Sequence, residues 1–514
     1  MEIAKKKKEV TCGSQAAVQA WLRSPFDVRR AGILLDVQSL VESGFELDLK
    51  DRAMEWLNWL EVAGVTVWQL LPIGPRNFSG SPYSSPSSFA LNVELLAPSA
   101  LLEKDLLSSE EKATLQAQGA IGLRPVVSRV LDELAAREPQ TLAAFERWQQ
   151  APEQLPWLQD WVLFQSLKAH FCGASWLEWP EPVRLRQPQA IGRLQSKLEP
   201  SMRTEAFLQF LASETWKLLQ AAAKERGILL AGDLPIYPDL DAADVWSHPE
   251  RFELEPNGKP RRVSGVPPDY FSKEGQLWGN PLYRWDLEKA NGFPNWKARF
   301  EHHFRLFDVV RLDHFRGFAS FWAIPFGAPA QNGAWEPGPG RALFEALEAK
   351  WGHPLPAYAE DLGSIDSAVH ELRRACRIPG TRVLQFGFLD HSTDHLPHRL
   401  EPQTVLFTGT HDNDTAMGFL SHAPEAVRKR ALDYLGCQPE TFGEALVRAA
   451  WNSVAILAMV PLQDLLGLGS ESRLNRPGVI EGNWSWKVPK GALQQLDPER
   501  LRRSLELAER IPPR

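Results

Sequence analysis

Val309-Val310-Arg311-Leu312-Asp313-His314 is a short apolar run that stops at an arginine, a carboxylate and a histidine. A β-strand repeats every two residues, so Arg311 and Asp313 share one face while Leu312 points the other way. The same pattern occurs upstream in Gly32 to Asp36, Val65 to Pro72 and Gly227 to Asp233. Downstream it returns in Ala357 to Asp361, Arg382 to Phe386, Val405 to Asp412 and Val454 to Pro461. Eight such runs, separated by stretches able to hold helices or insertions and ending in acids and histidines, predict an α/β fold, a (β/α)8 TIM barrel. The site of such a barrel lies where the strand C-termini open. A doubly wound parallel sheet is the alternative architecture for this pattern.

The spacing of the runs is uneven. Between the second and third, Leu131 to Arg147 and Met202 to Arg226 carry Ala-, Leu- and Glu-rich helical periodicity, which predicts a helical insertion over about 95–215. A second insertion, over about 238–298, is rich in Pro, Gly and aromatic residues and reads as an ordered functional loop. The chain therefore divides into a flexible N-terminal extension, 1–28, and a catalytic barrel, 29–514, that contains both insertions.

Composition narrows the function. The 514 residues carry 57 Lys and Arg against 64 Asp and Glu, a formal charge of -7, so a nucleic-acid partner lacks its usual electrostatic driver. The basic run Lys5 to Lys8 leads into polar sequence with no apolar signal core, and reads as a solvated tail. No run of apolar residues is long enough to cross a membrane. Cys12, Cys172, Cys376 and Cys437 lack the paired spacing of a zinc site or redox dithiol. The expectation is a cytoplasmic enzyme with a small or neutral substrate.

Acids collected at strand ends suggest the chemistry. Asp313 lies two residues after Arg311, and a guanidinium favours an ionised carboxylate suited to nucleophilic attack, so a lowered pKa is expected. A structural salt bridge is the plainer reading of that pair. Of Glu360 and Asp361, alternation lets only one face the barrel mouth; Glu360 is assigned inward, where burial would raise its pKa and make it a proton donor. Asp233 ends a third strand in the same register. Thr410-His411-Asp412-Asn413-Asp414-Thr415 follows a fourth, and lacks any recognised metal-ligand spacing, so it is read as holding sugar hydroxyls. Cleaving a glycosidic bond needs a carboxylate pair flanking it, and a further anion steadies the oxocarbenium-like transition state. No cofactor or metal is required.

Several longer blocks point the same way. They include Trp68 to Pro75, Ser81-Pro82-Tyr83, Gly232 to Ile236, Ser264 to Ser272 and Gln276 to Tyr283. Arg311 to Gly317, Ala359 to Gly363, Val383 to Phe386, Gly409 to Thr415, Asn475 to Gly478 and Glu481 to Trp486 complete the series. In this order they resemble the 4-α-glucanotransferases called amylomaltases or disproportionating enzymes, glycoside hydrolase family 77. The resemblance implies transfer of α-1,4-glucan segments between maltooligosaccharides and glucose by a retaining double displacement. Asp313 would be nucleophile, Glu360 general acid/base and Asp412 transition-state stabiliser.

It further implies that Arg311, His314, His411 and Asp233 bind sugar at the cleavage point, and that Tyr83, Tyr270, Phe271, Trp278 and Phe386 line the glucan groove. An α-1,4-glucan hydrolase with the same residues is the alternative. The segments 36–44, 76–80 and 90–94 depart from the family pattern.

Overall fold

The computed structural model describes residues 25–41, 49–77, 79–268, 273–389, 393–479 and 481–513. Eight parallel strands close into a barrel, flanked by helices. In chain order they are β1 (Arg30–Leu34), β2 (Val67–Gln69), β3 (Leu229–Leu234), β6 (Val309–Leu312), β9 (Ala357–Ala359), β10 (Gly380–Val383), β11 (Thr404–Phe407) and β12 (Leu457–Pro461). β12 pairs with β1 to shut the ring. All eight expected strands are present as a (β/α)8 barrel. The sixth lies two residues early, because Leu384–Phe388 leaves the strand as a 3-10 helix.

Alternation along the strands builds two cores. Val309, Tyr358, Val383, Val405, Phe407, Leu457 and Met459 pack together inside the ring, while Leu230, Val310, Leu312 and Ala359 join the outer core with the helices. The helix Leu49–Ala63 shows how the outer layer is encoded: Ala53, Trp56, Leu57 and Leu60, at helical spacing, are all buried. Arg510, buried near the C-terminus, donates to the carbonyls of Arg30, Ala450, Trp451, Ser453 and Ala455. It thereby ties the chain end to the starts of β1 and β12, at the end of the barrel opposite the acids.

The helical insertion runs from Val93–Glu103 to the 38-residue helix Pro188–Glu225. The predicted continuous pattern over Leu131 to Arg147 is interrupted: helices Ala120–Arg137 and Pro139–Gln149 meet at Glu138, where Pro139 restarts the helix at its first turn. The long helix also anchors a loop at the barrel mouth. Gln209 exchanges two hydrogen bonds of 2.9 Å with the backbone of Leu91, in the segment that follows Tyr83.

The region expected as a loop, 238–298, contains two strands, β4 (Arg262–Val266) and β5 (Gln276–Pro281). They join β7 (Ser320–Pro325) and β8 (Ala334–Pro337) in an antiparallel sheet of order β5-β4-β7-β8. The Pro and Gly content of β4 and β5 masks them as strands, and the pairing of β4 with β7, about 60 residues away in the chain, leaves no local signal. No helix among the described residues is long and apolar enough to cross a membrane.

Candidate active site

Strand register brings the acids together. Asp233 on β3 pairs with Arg311 on β6, and Leu312 pairs with Ala359 on β9. Asp313 and Glu360 each follow that last pair by one residue, so they leave the barrel side by side. Gly232 permits the close packing of β3, since a Cβ there would sit 2.2 Å from the ring of Phe307.

Arg311 is the buried hub. Its Nη1 donates to both oxygens of Asp233, at 2.9 and 2.8 Å, and to Asp313 Oδ1 at 2.9 Å. The Tyr83 hydroxyl donates to Asp233 Oδ2 at 2.7 Å. Asp233, expected to touch sugar, is 1% exposed, and sits behind Arg311 and Tyr83. Its contacts set the positions of those two side chains.

The expected low pKa at Asp313 is not found. Burial is the largest influence and pushes it up to about 8; Arg311 pulls it down, while Asp233, Glu360 and Asp412 push it further up. The physical reason is that Asp233 shares the guanidinium, so Arg311 does not offset desolvation in full. Glu360 behaves as expected: burial pushes it up to about 7. Its oxygens accept from His314 N at 2.9 Å and Leu362 N at 3.0 Å, fixing the carboxyl toward Asp313. His314 makes this possible with a left-handed backbone, φ 45°, a conformation uncommon outside glycine and frequent at functional turns. Asp361 turns outward, against Arg373 at 3.1 Å and Arg382 at 3.5 Å.

Asp412 approaches from the end of β11, on the loop Gly409 to Thr415. Asn475 Nδ2 donates to its Oδ1 at 2.6 Å and Arg473 to its backbone carbonyl at 2.6 Å. His411 Nε2 lies 3.4 Å from its Oδ2. Burial lowers the pKa of His411, and takes His314 down to about 3. Both imidazoles are therefore neutral at pH 7, polar without adding a cation beside a positively charged transition state.

These groups line one cleft of about 850 Å³, within the range of small-molecule sites. Its aromatic walls include Tyr83, stacked on His411 at 5.2 Å, and Trp278, edge-on to His314 at 4.7 Å. Phe386 also lines it. Tyr270 and Phe271 lie outside the described residues.

Trp484, 5.9 Å from the rings of both Tyr83 and His411, belongs to the wall but was not singled out as a site residue, nor were Arg473 and Asn475. Their blocks are visible in the sequence, but a brace on Asp412 has no marker until the fold brings it there. Two divergent segments prove to be partners: the half-buried Arg76 pairs with the buried Asp36 at 2.7 Å.

With this geometry in place, comparison with known proteins gives a consistent result. The profile of glycoside hydrolase family 77, described as 4-alpha-glucanotransferase, matches residues 37–494. The chain belongs to this family. A 4-alpha-glucanotransferase of Aquifex aeolicus (strain VF5) is 40% identical over 474 residues, covering 91% of this chain and 97% of its own. That of Thermus thermophilus is 39% identical over 505 residues, covering 94% and 99%. Among solved structures, the amylomaltase from Streptococcus agalactiae in complex with acarbose aligns with a TM-score of 0.87 at 29% identity. It covers 94% of this chain and 99% of that one. The match to the 4-α-glucanotransferase family thus spans nearly all of the barrel and every residue described above in the cleft.

Proposed function

We propose that this family member cleaves an α-1,4-glucosidic bond of a maltodextrin and passes the glucan segment to the 4-hydroxyl of glucose or another glucan, with Asp313, Glu360 and Asp412 as its catalytic carboxylates. The observation that carries the reading is the convergence of these three side chains on one cleft around the buried Arg311.

In the first step Glu360 gives its proton to the departing 4-oxygen while Asp313 attacks the anomeric carbon, forming a β-linked glucosyl ester. Asp412, held by Asn475, faces the positive charge that develops on the ring. In the second step Glu360 takes the proton of the incoming 4-hydroxyl, whose oxygen displaces Asp313. Two inversions give net retention. The Asp313–Glu360 pair carries one proton in the active state. In the empty cleft that proton is shared by the pair; the reactive form is the one with the charge on Asp313, against Arg311, and the proton on Glu360.

A pH dependence follows from the raised values. The raised values in the empty cleft, about 8 at Asp313 and about 7 at Glu360, belong to the pair, which carries two protons below that range, one within it and none above it. kcat/KM is expected to fall about tenfold per unit on the alkaline side, as measured by initial rates of glucose release from maltotriose across pH; a profile flat well above pH 8 contradicts the assignment.

The activity itself is tested by incubation with maltotriose alone. Glucose appearing together with a ladder of longer maltodextrins is the expected result. Glucose and maltose without longer products would favour the hydrolase. Alpha-1,4-glucans and glucose are the partners this reading requires, and the chain as a whole is proposed to act as one catalytic barrel, 29–514, in the cytoplasm.

A further inference from the structure

The four-stranded sheet contributes an indole to the cleft from each of its edge strands, Trp278 from β5 and Trp335 from β8. Trp278 stands against His314, next to Asp313. Trp335 is three strand spacings away, about 14 Å across the sheet, and has no part in the chemistry derived above.

Its setting is nevertheless built. The Arg316 guanidinium lies 3.7 Å from the Trp335 ring centroid. Arg316 is itself held by Ser320 Oγ at 3.0 Å, Asp366 Oδ2 at 2.9 Å and the Ser364 carbonyl. Trp322 meets the indole at 5.1 Å and 66°. Two neighbours fix the ring, yet Trp335 is 40% exposed and opens on the same continuous cleft as the carboxylates. Arg316 and Trp322 pack against the ring, and it also lines the cleft, where a ligand would cover what stays open. The indole offers a sugar an apolar surface for its C–H face and an N–H for a hydroxyl, while Arg316, buried and bonded to its own partners, holds it in place.

We propose that Trp335 and Arg316 form an outlying glucan subsite, reached only by chains long enough to extend from Asp313 across the sheet, which makes Trp335 a determinant of chain-length preference. The proposal rests on the glucan-transfer reading. The occupant is a distal glucosyl unit of the same α-1,4-chain that is cut at Asp313, because the cleft joins the two places without a break.

The test compares maltotriose with maltoheptaose as donor in the full-length protein and its Trp335→Ala and Trp335→Phe variants. The expected result is that Trp335→Ala lowers the ratio of kcat/KM for maltoheptaose to that for maltotriose by about tenfold, through KM for the long donor, while Trp335→Phe restores most of the ratio. An unchanged ratio in Trp335→Ala overturns the subsite, as does an equal loss on both donors, which marks a structural role. If the unmodified protein transfers from neither donor, the glucan-transfer reading fails and the subsite with it.

Discussion

Asp313→Asn is expected to lower kcat for transfer from maltotriose by at least about 10⁴-fold, with thermal unfolding little changed. The amide is nearly isosteric and can still accept from Arg311 through its oxygen, so the architecture around Asp233 and Tyr83 is retained. What is lost is the nucleophile, and without it neither the glucosyl ester nor the second displacement can form. Burial of one charge fewer beside Asp233, Glu360 and Asp412 also relieves repulsion in the resting site. A variant that folds well and fails to turn over separates chemistry from stability. Assay by chromatography of the maltodextrin ladder checks it; residual transfer above a hundredth of the unmodified rate would remove Asp313 from the role.

Glu360→Gln is expected to act on one half of each displacement. With maltotriose, whose leaving sugar needs a proton, kcat should fall about 10²- to 10⁴-fold, the usual contribution of general acid catalysis. With a maltosyl fluoride donor the leaving group departs unprotonated, so the first step survives. Deglycosylation then lacks its base, and fluoride release should show a burst of one equivalent followed by slow turnover. Absence of the burst, with the first step slowed equally on both donors, would mean that Glu360 acts by position or charge and does not transfer a proton.

The reach of sequence reading here follows physical range. The eight barrel strands are legible because each is a local apolar run, and two-residue alternation correctly turned Glu360 inward and Asp361 outward. The charge states are less legible. Arg311 and Asp313 are two residues apart, which suggested a simple ion pair, whereas Asp233 arrives from another strand and shares the same Nη1. The same distance problem hid the β4–β7 pairing, the Asn475 contact to Asp412 and the Arg76–Asp36 pair, all of which join segments far apart in the chain. Trp335 was invisible as a site residue because an isolated tryptophan in a sequence with 20 of them reads first as core.

The central claim is that the reaction passes through a glucosyl ester on Asp313. Its most direct measurement is mass spectrometry of Glu360→Gln after brief reaction with maltosyl fluoride, followed by proteolysis. The account predicts one maltosyl adduct, located on the peptide that carries Asp313. Fluoride release without any adduct, or an adduct on a peptide lacking Asp313, would contradict it.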